Sequence, residues 1–381
     1  MPKMPTIPFL AAALIAAGFA PAAPAQETAA PPVRVDVGHL AGSSFAIAHP
    51  PGEWNHRLLL LAHGYRPDSA PLIADLHPAR ASIKAALDEG WMVATTSYRR
   101  NGMIVGDAIA DLDALRAYIV AAYGEPERVI LEGESTGGLI VTIMAERDAE
   151  LYSGAVVFDA TLYAKETSGK VGLSLLPRIP LIFLATQREV PEARSYLTSL
   201  VARPAPVIQP VLFLIQREGH TNINQPEHLA AFRAINAWID GGRAALPEPK
   251  DQAHYFDATV APDPGPSTAA FLPDNRGFRT SVAEVDAIYG NILLEAQAPD
   301  FAAAGIPPMT FCTLQAGGKS YRTLYGRTYT DVKDGEWVVF PDADGRTVLS
   351  RNFANAAGTT GLKVGDPVTL VPVEPGAVPL H

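Results

Sequence analysis

The strongest sign of catalytic chemistry in this sequence is a serine between two glycines. It lies in the stretch Gly133-Glu134-Ser135-Thr136-Gly137. An apolar stretch typical of a strand, residues 128–131, precedes it, and a helical pattern, residues 136–150, follows it. In a Gly-x-Ser-x-Gly turn between a strand and a helix, the serine oxygen is pushed out over the sheet. The amides at the helix N-terminus can then stabilise an oxyanion. Ser135 is therefore predicted to be a nucleophile, and the alternative is an ordinary glycine-rich turn.

A serine nucleophile needs a general base, and His220 is the candidate. It follows the apolar strand predicted at residues 211–215, and Gly219 lets the loop bend toward the serine. The alternative is a surface histidine bonded to backbone. His228, inside a predicted helix, and His254, in a Pro-rich stretch, are weaker candidates.

The base in turn needs a carboxylate that orients it. Glu189 follows the strand predicted at residues 181–185 and is the first candidate. Asp159, at the end of the strand predicted at residues 155–158, is the alternative acid. A third interpretation makes Glu189 an exposed loop acid that pairs with Arg188.

Two backbone amides are candidates for an oxyanion hole. Thr136 follows the nucleophile and supplies the first. Tyr65, after the His63-Gly64 pair that ends another apolar strand, supplies the second. The alternative is a tight turn with a buried histidine.

Short apolar strands alternate with helices over the first two thirds of the chain, which predicts a parallel sheet covered on both faces. We expect a catalytic domain at residues 33–243, a Pro-rich linker or arm at 244–275, and a small β-rich domain at 276–373. The predicted strands lie at residues 58–62, 92–97, 128–131, 155–158, 181–185 and 211–215. The predicted helices lie at residues 79–89, 136–150 and 225–240.

The composition excludes several partners. Of 381 residues, 48% are hydrophobic and 18% are charged, so a sizeable core is expected. The net charge of −10 is repelled by nucleic acids and by anionic membrane surfaces. Cys312 is the only cysteine, which excludes an intramolecular disulfide, and its apolar surroundings favour a buried structural role. We expect no metal and no cofactor.

The N-terminus has the pattern of a signal peptide, residues 1–25. Lys3 precedes an apolar run at residues 7–20, and Ala23-Pro24-Ala25 is a small-residue cleavage site. The alternative is a membrane anchor, but the run is shorter than the ~20 apolar residues of a membrane span. The mature protein is therefore predicted to be secreted or periplasmic, without a membrane span.

Residues 33–243 resemble the α/β-hydrolase superfamily. The chain order Ser135, Glu189, His220 and the His63-Gly64 pair carry the resemblance. The segments 95–102 and 219–222 are similar to secreted bacterial members. One departure is that aspartate is commoner than glutamate at the acid position. The resemblance implies an α/β-hydrolase fold and a serine hydrolase that cleaves carboxylic esters, with a peptidase or amidase using the same residues as the alternative.

Residues 282–373 resemble the C-terminal β-barrel of S-adenosylmethionine hydroxide adenosyltransferases. The segments 289–292, 326–332 and 361–368 carry the resemblance. It implies a barrel that completes a pocket, with Arg351 and Asn352 as ligand contacts or as structural residues. Because the first domain is different, adenosyl chemistry is not implied. The barrel is expected to shape the site entrance or to form a homo-oligomer contact. A non-catalytic protein whose barrel binds a nucleoside-like ligand is the remaining alternative.

Overall fold

The computed structural model describes residues 33–164, 171–201, 203, 206–246 and 267–373, apart from the side chain of Asp274. The predicted signal peptide lies outside the described residues, and so does most of the predicted linker. Two sheets belong to one compact unit. In the described ranges, no helix is both long and apolar enough to cross a membrane.

The first sheet has eight strands in the order β1-β2-β4-β3-β5-β6-β7-β8. Its strands are β1 (Val35–Leu40), β2 (Ser43–Ala48), β3 (Arg57–Ala62), β4 (Met92–Thr96), β5 (Arg128–Glu134), β6 (Gly154–Phe158), β7 (Leu181–Thr186) and β8 (Val211–Ile215). The pairs β1–β2 and β2–β4 are antiparallel, and the pairs from β4 to β8 are parallel. The mostly parallel sheet predicted from the apolar strands is confirmed.

Helices cover both faces of this sheet. They are α1 (Ala81–Asp88), α2 (Val105–Tyr123), α3 (Thr136–Arg147), α4 (Val190–Leu200) and α5 (Gln225–Gly241). Side chains alternate along each strand, so that Leu58 and Leu60 belong to the core cluster that includes residues of α2, α3 and α4. Leu59 belongs to the cluster on the other face, with residues of α1 and α5. With the turn from β5 into α3, this is the predicted α/β-hydrolase fold. Helix α4 was not predicted from the sequence.

The second sheet closes into a barrel. Its strands are β9 (Ala270–Phe271), β10 (Phe278–Val285), β11 (Ile292–Leu294), β12 (Thr310–Ala316), β13 (Lys319–Tyr325), β14 (Trp337–Pro341), β15 (Thr347–Arg351) and β16 (Pro367–Pro372). The order is β11-β15-β14-β13-β12-β16-β10-β9, and β10 also pairs with β11, which closes seven strands. The predicted barrel is confirmed.

Short helices lie between the strands of the barrel and in the segment that precedes it. The α-helices are α6 (Ala298–Ala303) and α7 (Ala356–Thr360), and the 3₁₀ turns are Arg243–Ala245, Pro273–Asn275 and Tyr329–Asp331. The barrel interior is apolar, with Phe278, Phe301 and Leu349 at its core. Strand β9 lies within residues 244–275, which the sequence assigned to the linker, because two apolar residues are too few to reveal a strand.

Candidate active site

Ser135 lies in the turn between β5 and α3. Its φ is 54°, in the left-handed region that side chains rarely adopt, so the turn holds it under strain. A Cβ at Gly133 would lie 2.3 Å from the carbonyl oxygen of Gly137, and one at Gly137 would lie 2.1 Å from that of Ala62. Only glycine fits at either position, and the tight turn leaves Ser135 half-buried at the end of the sheet.

A hydrogen-bond chain joins the three residues predicted as nucleophile, base and acid. His220 Nε2 is 2.7 Å from Ser135 Oγ, and His220 Nδ1 is 2.8 Å from Glu189 Oε1. An ionised carboxylate only accepts hydrogen bonds, so Nδ1 carries the ring proton. His220 Nε2 is then left as the acceptor for the serine proton. The arrangement can therefore activate the hydroxyl of Ser135.

The electrostatics around His220 favour its charged form. Burial opposes protonation, but the hydrogen bond that His220 donates to Glu189 and the charges of Glu189, Asp159 and Glu134 outweigh it and raise the pKa of His220. An imidazolium formed by proton transfer from Ser135 would be stabilised by the same carboxylates.

Glu189 is held by the start of helix α4. It is the N-cap residue of that helix, and its amide donates to the carbonyl of Thr186 over 3.0 Å. Only 7% of Glu189 is exposed, and Arg188 Nε lies 3.4 Å from the carboxylate oxygen that faces His220. The pairing with Arg188 that the sequence offered as an alternative thus coexists with the bond to His220.

Asp159, the alternative acid, has different partners. It is fully buried, and its Oδ1 accepts from the amide of Thr186 at 2.6 Å and lies 3.0 Å from the Thr186 hydroxyl. That hydroxyl is also 2.7 Å from the carbonyl of Gly219, next to His220. Burial raises the pKa of Asp159 to about 7. Asp159 therefore contacts the histidine loop through Thr186, and the geometry favours Glu189 as the partner of His220.

The predicted oxyanion loop, which we define as residues 63–66, passes directly beside the nucleophile. A Cβ at Gly64 would lie 3.2 Å from Ser135 Cβ, so a larger residue there would crowd the nucleophile. The amides of Tyr65 and Thr136 form no hydrogen bond with any described residue. Both amides therefore keep the donor that the predicted oxyanion hole needs.

His63 has a structural role in this loop. Its Nδ1 is 2.7 Å from the carbonyl of Gly64, and its ring stacks on Tyr98 with centroids 3.9 Å apart. Burial and the charge of Arg66 lower the pKa of His63 to about 3, so the ring stays neutral. His228, the weaker candidate for the base, lies 3.4 Å from Glu132 instead. His254 lies outside the described residues.

Residues of the barrel contact this site. The sequence did not predict which barrel residues make these contacts. The hydroxyl of Tyr289 donates to the carbonyl of Tyr65 over 2.6 Å. Arg188 Nη1 donates to the hydroxyl of Thr330 over 3.0 Å. Tyr289 falls in the segment that carried the barrel resemblance, but no local pattern connected it with the oxyanion loop.

The side chains of Arg351 and Asn352 donate hydrogen bonds to other residues of the barrel domain. Arg351 donates to the carbonyl of Gly335 and to the hydroxyl of Thr359, and Asn352 Nδ2 donates to the carbonyl of Val332. These bonds favour the structural interpretation of both residues.

Cys312 lies in the barrel core, where burial raises the pKa of its thiol to about 12. A protonated buried thiol is a poor nucleophile. Across the described part of the chain, no three His, Cys, Asp or Glu side chains are grouped to hold a metal ion.

Comparison with known families bears on the barrel. Residues 280–369 match the family model of the SAM hydroxide adenosyltransferase C-terminal domain. The match confirms the resemblance predicted for the C-terminal part, and it covers only that part of the chain. No curated protein matches the sequence significantly.

Solved structures give weaker matches. An uncharacterised conserved protein from Thermotoga maritima is 18% identical, with 34% of this chain and 48% of that chain covered and a TM-score of 0.26. An esterase/lipase from an uncultured bacterium is 13% identical, with 48% and 74% covered and a TM-score of 0.38. The Pyrococcus horikoshii acylaminoacyl peptidase is 9% identical, with 58% and 43% covered and a TM-score of 0.41. This chain therefore spans less than half of two of these proteins.

Proposed function

We propose that this chain is a serine hydrolase that cleaves carboxylic esters through an acyl intermediate on Ser135. The observation that carries the proposal is the unbroken hydrogen-bond chain from Glu189 through His220 to Ser135, with distances of 2.8 and 2.7 Å. A weak nucleophile is activated when its base lies within hydrogen-bond reach and a third group orients that base.

In the proposed acylation step, His220 Nε2 takes the proton of Ser135 as its Oγ attacks the ester carbonyl carbon. The charge that develops on the carbonyl oxygen is stabilised by the amides of Tyr65 and Thr136. Glu189 stabilises the imidazolium. His220 then protonates the alkoxide as the carbon–oxygen bond breaks, and the alcohol leaves.

Deacylation repeats the sequence with water as the nucleophile. His220 takes a proton from the water, which attacks the acyl carbon, and then returns that proton to Ser135 Oγ. The products are a carboxylic acid and the regenerated hydroxyl. Every step uses side chains and amides that lie within the candidate site.

Labelling with a fluorophosphonate tests the proposal, because the activated serine displaces fluoride and keeps the phosphonyl group. Peptide mass spectrometry should find the adduct on Ser135 in the wild type and no adduct in Ser135→Ala. Ser199→Ala, which changes a half-buried serine in α4, is the matched control and should label normally. A folded wild-type protein that does not label would favour the non-catalytic binding protein.

The same preparation separates esterase from amidase activity. We expect hydrolysis of short-chain nitrophenyl esters and a much lower rate on the matching nitroanilides. A nitroanilide rate that exceeds the ester rate would identify a peptidase or amidase instead.

The proposal includes export to the periplasm or the medium. It is supported by the signal pattern of residues 1–25, and the expected mature N-terminus is Gln26. N-terminal sequencing of the protein recovered from each cell fraction tests this. An intact N-terminus in the membrane fraction would favour an anchor.

A further inference from the structure

Three consecutive carbonyl groups of the oxyanion loop are each held by a side-chain donor. The hydroxyl of Tyr98 donates to the carbonyl of His63 over 3.1 Å, and His63 Nδ1 donates to that of Gly64 over 2.7 Å. The hydroxyl of Tyr289 donates to that of Tyr65 over 2.6 Å. The first two donors follow strands β4 and β3 of the first sheet, whereas Tyr289 belongs to the barrel and is 224 residues from Tyr65 in sequence.

Fixing these carbonyls also fixes the amide of Tyr65, which the proposed function assigns to the oxyanion hole. A trans peptide is planar, and its C=O and N–H point in opposite directions. The bond from His63 to the carbonyl of Gly64 therefore sets the direction of the Tyr65 N–H. The bond from Tyr289 fixes the next peptide plane, so Tyr65 is restrained on both sides.

Tyr289 is itself held in a rigid turn between β10 and β11. The carboxylate of Asp286 accepts from the amides of Ile288 at 2.8 Å and Tyr289 at 3.1 Å. Gly290 has a φ of 71°, and a Cβ there would lie 2.0 Å from the side-chain oxygen of Asn355. Burial raises the pKa of Tyr289, so its hydroxyl keeps its proton and remains a donor. The turn thus presents a donor in a fixed place.

Other contacts hold the barrel on the hydrolase domain independently of Tyr289. Arg188 Nη1 donates to Thr330 over 3.0 Å, and the amide of Gln225 donates to Asp344 Oδ1 over 2.9 Å. Loss of one hydroxyl should therefore leave the barrel docked. The bond from Tyr289 to Tyr65 is therefore not needed for docking, and its effect should be on the oxyanion loop.

We propose that Tyr289 is a positioning residue for hydrolysis, whose hydroxyl holds the oxyanion loop so that the amide of Tyr65 is aimed at the oxyanion before the reaction begins. Preorganised donors stabilise a transition state because they do not reorient during the reaction. This inference rests on the proposed function. It makes the barrel part of the active site and gives it no covalent chemistry.

The test compares Tyr289→Phe with Tyr321→Phe in the full chain. The first change removes only the hydroxyl that holds the loop. Tyr321 is a barrel tyrosine whose ring packs on Trp337 and whose hydroxyl bonds to no described residue. We expect Tyr289→Phe to lower kcat and the rate of fluorophosphonate labelling about tenfold, equivalent to ~1.4 kcal/mol in the barrier. KM and the melting temperature should not change, and Tyr321→Phe should match the wild type.

Hydrogen–deuterium exchange gives a readout that does not need substrate. The peptide that covers residues 63–70 should exchange faster in Tyr289→Phe and at the wild-type rate in Tyr321→Phe. Unchanged exchange, or a wild-type kcat in Tyr289→Phe, would overturn the inference. So would a loss of activity that only parallels a fall in melting temperature. Any of these outcomes would overturn the role of Tyr289 alone, provided that wild-type Ser135 is labelled by the fluorophosphonate. If wild-type Ser135 is not labelled, the proposed function itself is wrong.

Discussion

The open sheet and the closed barrel place their polar side chains differently. In the open sheet, Ser135, Glu189 and His220 follow β5, β7 and β8 and converge at the carboxyl ends of these strands. In the barrel, Arg351 lies at the end of β15 and bonds back to the chain around it. One sheet directs its polar groups toward a site, and the other uses them to hold itself together.

Topology accounts for the difference. Parallel strands all end at one edge, so the loops that follow them meet there. A closed barrel has hydrogen-bonded neighbours all round, and its interior is filled by side chains. Only its turns are free to reach another part of the molecule, as the turn that carries Tyr289 does. Substitutions in each of the two sheets test this contrast.

Ser135→Ala should have the largest effect on turnover. Loss of a serine from such a triad costs on the order of 10⁶ in kcat. Ser135 is half-buried and the change removes a single oxygen atom, so the melting temperature should stay nearly unchanged. Assays with a nitrophenyl ester and thermal melts measure both quantities, with Ser199→Ala as control. Activity within tenfold of wild type would contradict the assignment.

Glu189→Gln should lower kcat by about 10⁴, because a neutral amide can hold His220 in the wrong tautomer. Asp159→Asn should have a smaller effect, because Asp159 bonds to Thr186 and not to His220. Parallel measurement of kcat for the two variants decides between them. A greater loss in Asp159→Asn would move the acid to the end of β6.

The pH dependence of kcat/KM should depend on the carboxylate that bonds to His220. The base must be neutral to accept a proton, so kcat/KM should fall as the pH drops through the raised pKa of His220. Glu189→Gln removes the partner that raises this pKa, so the acid limb should move to lower pH. Glu192→Gln is the control, since Glu192 accepts from the amide of Tyr163 instead. A limb that stays in place or moves upward would argue against Glu189.

Arg351→Met should leave hydrolysis unchanged and reduce stability. The variant loses the bonds from Arg351 to Gly335 and Thr359, and bonds from a charged group are worth about 1.5–3 kcal/mol. Urea denaturation should show a fall of that order in the free energy of unfolding. A large loss of kcat at unchanged stability would instead indicate a ligand contact in the barrel.

The sequence is most informative where the structure is local. A strand, a glycine-flanked turn and a helix follow one another along the chain, so the turn at Ser135 and the parallel sheet could be predicted. Glu189 and Asp159 both follow strands, so the sequence alone could not decide which of them contacts His220. In the structure Asp159 bonds to Thr186, and Glu189 bonds to His220. The proposed role of Tyr289 depends on how the barrel docks, and no pattern of neighbouring residues encodes that docking.

The pairing of the first long strand of the barrel with its last strand also sets an order of folding. Strand β10 pairs with β16, so Phe278 lies opposite Leu370, whereas the parallel sheet is complete at Ile215. Contacts between distant parts of a chain form late, because the loop between them must be ordered first. During synthesis, the hydrolase sheet can therefore assemble before the ribosome has released β16. We expect this turn to dock on the oxyanion loop only after the barrel has closed, so the last step of folding would complete the candidate site.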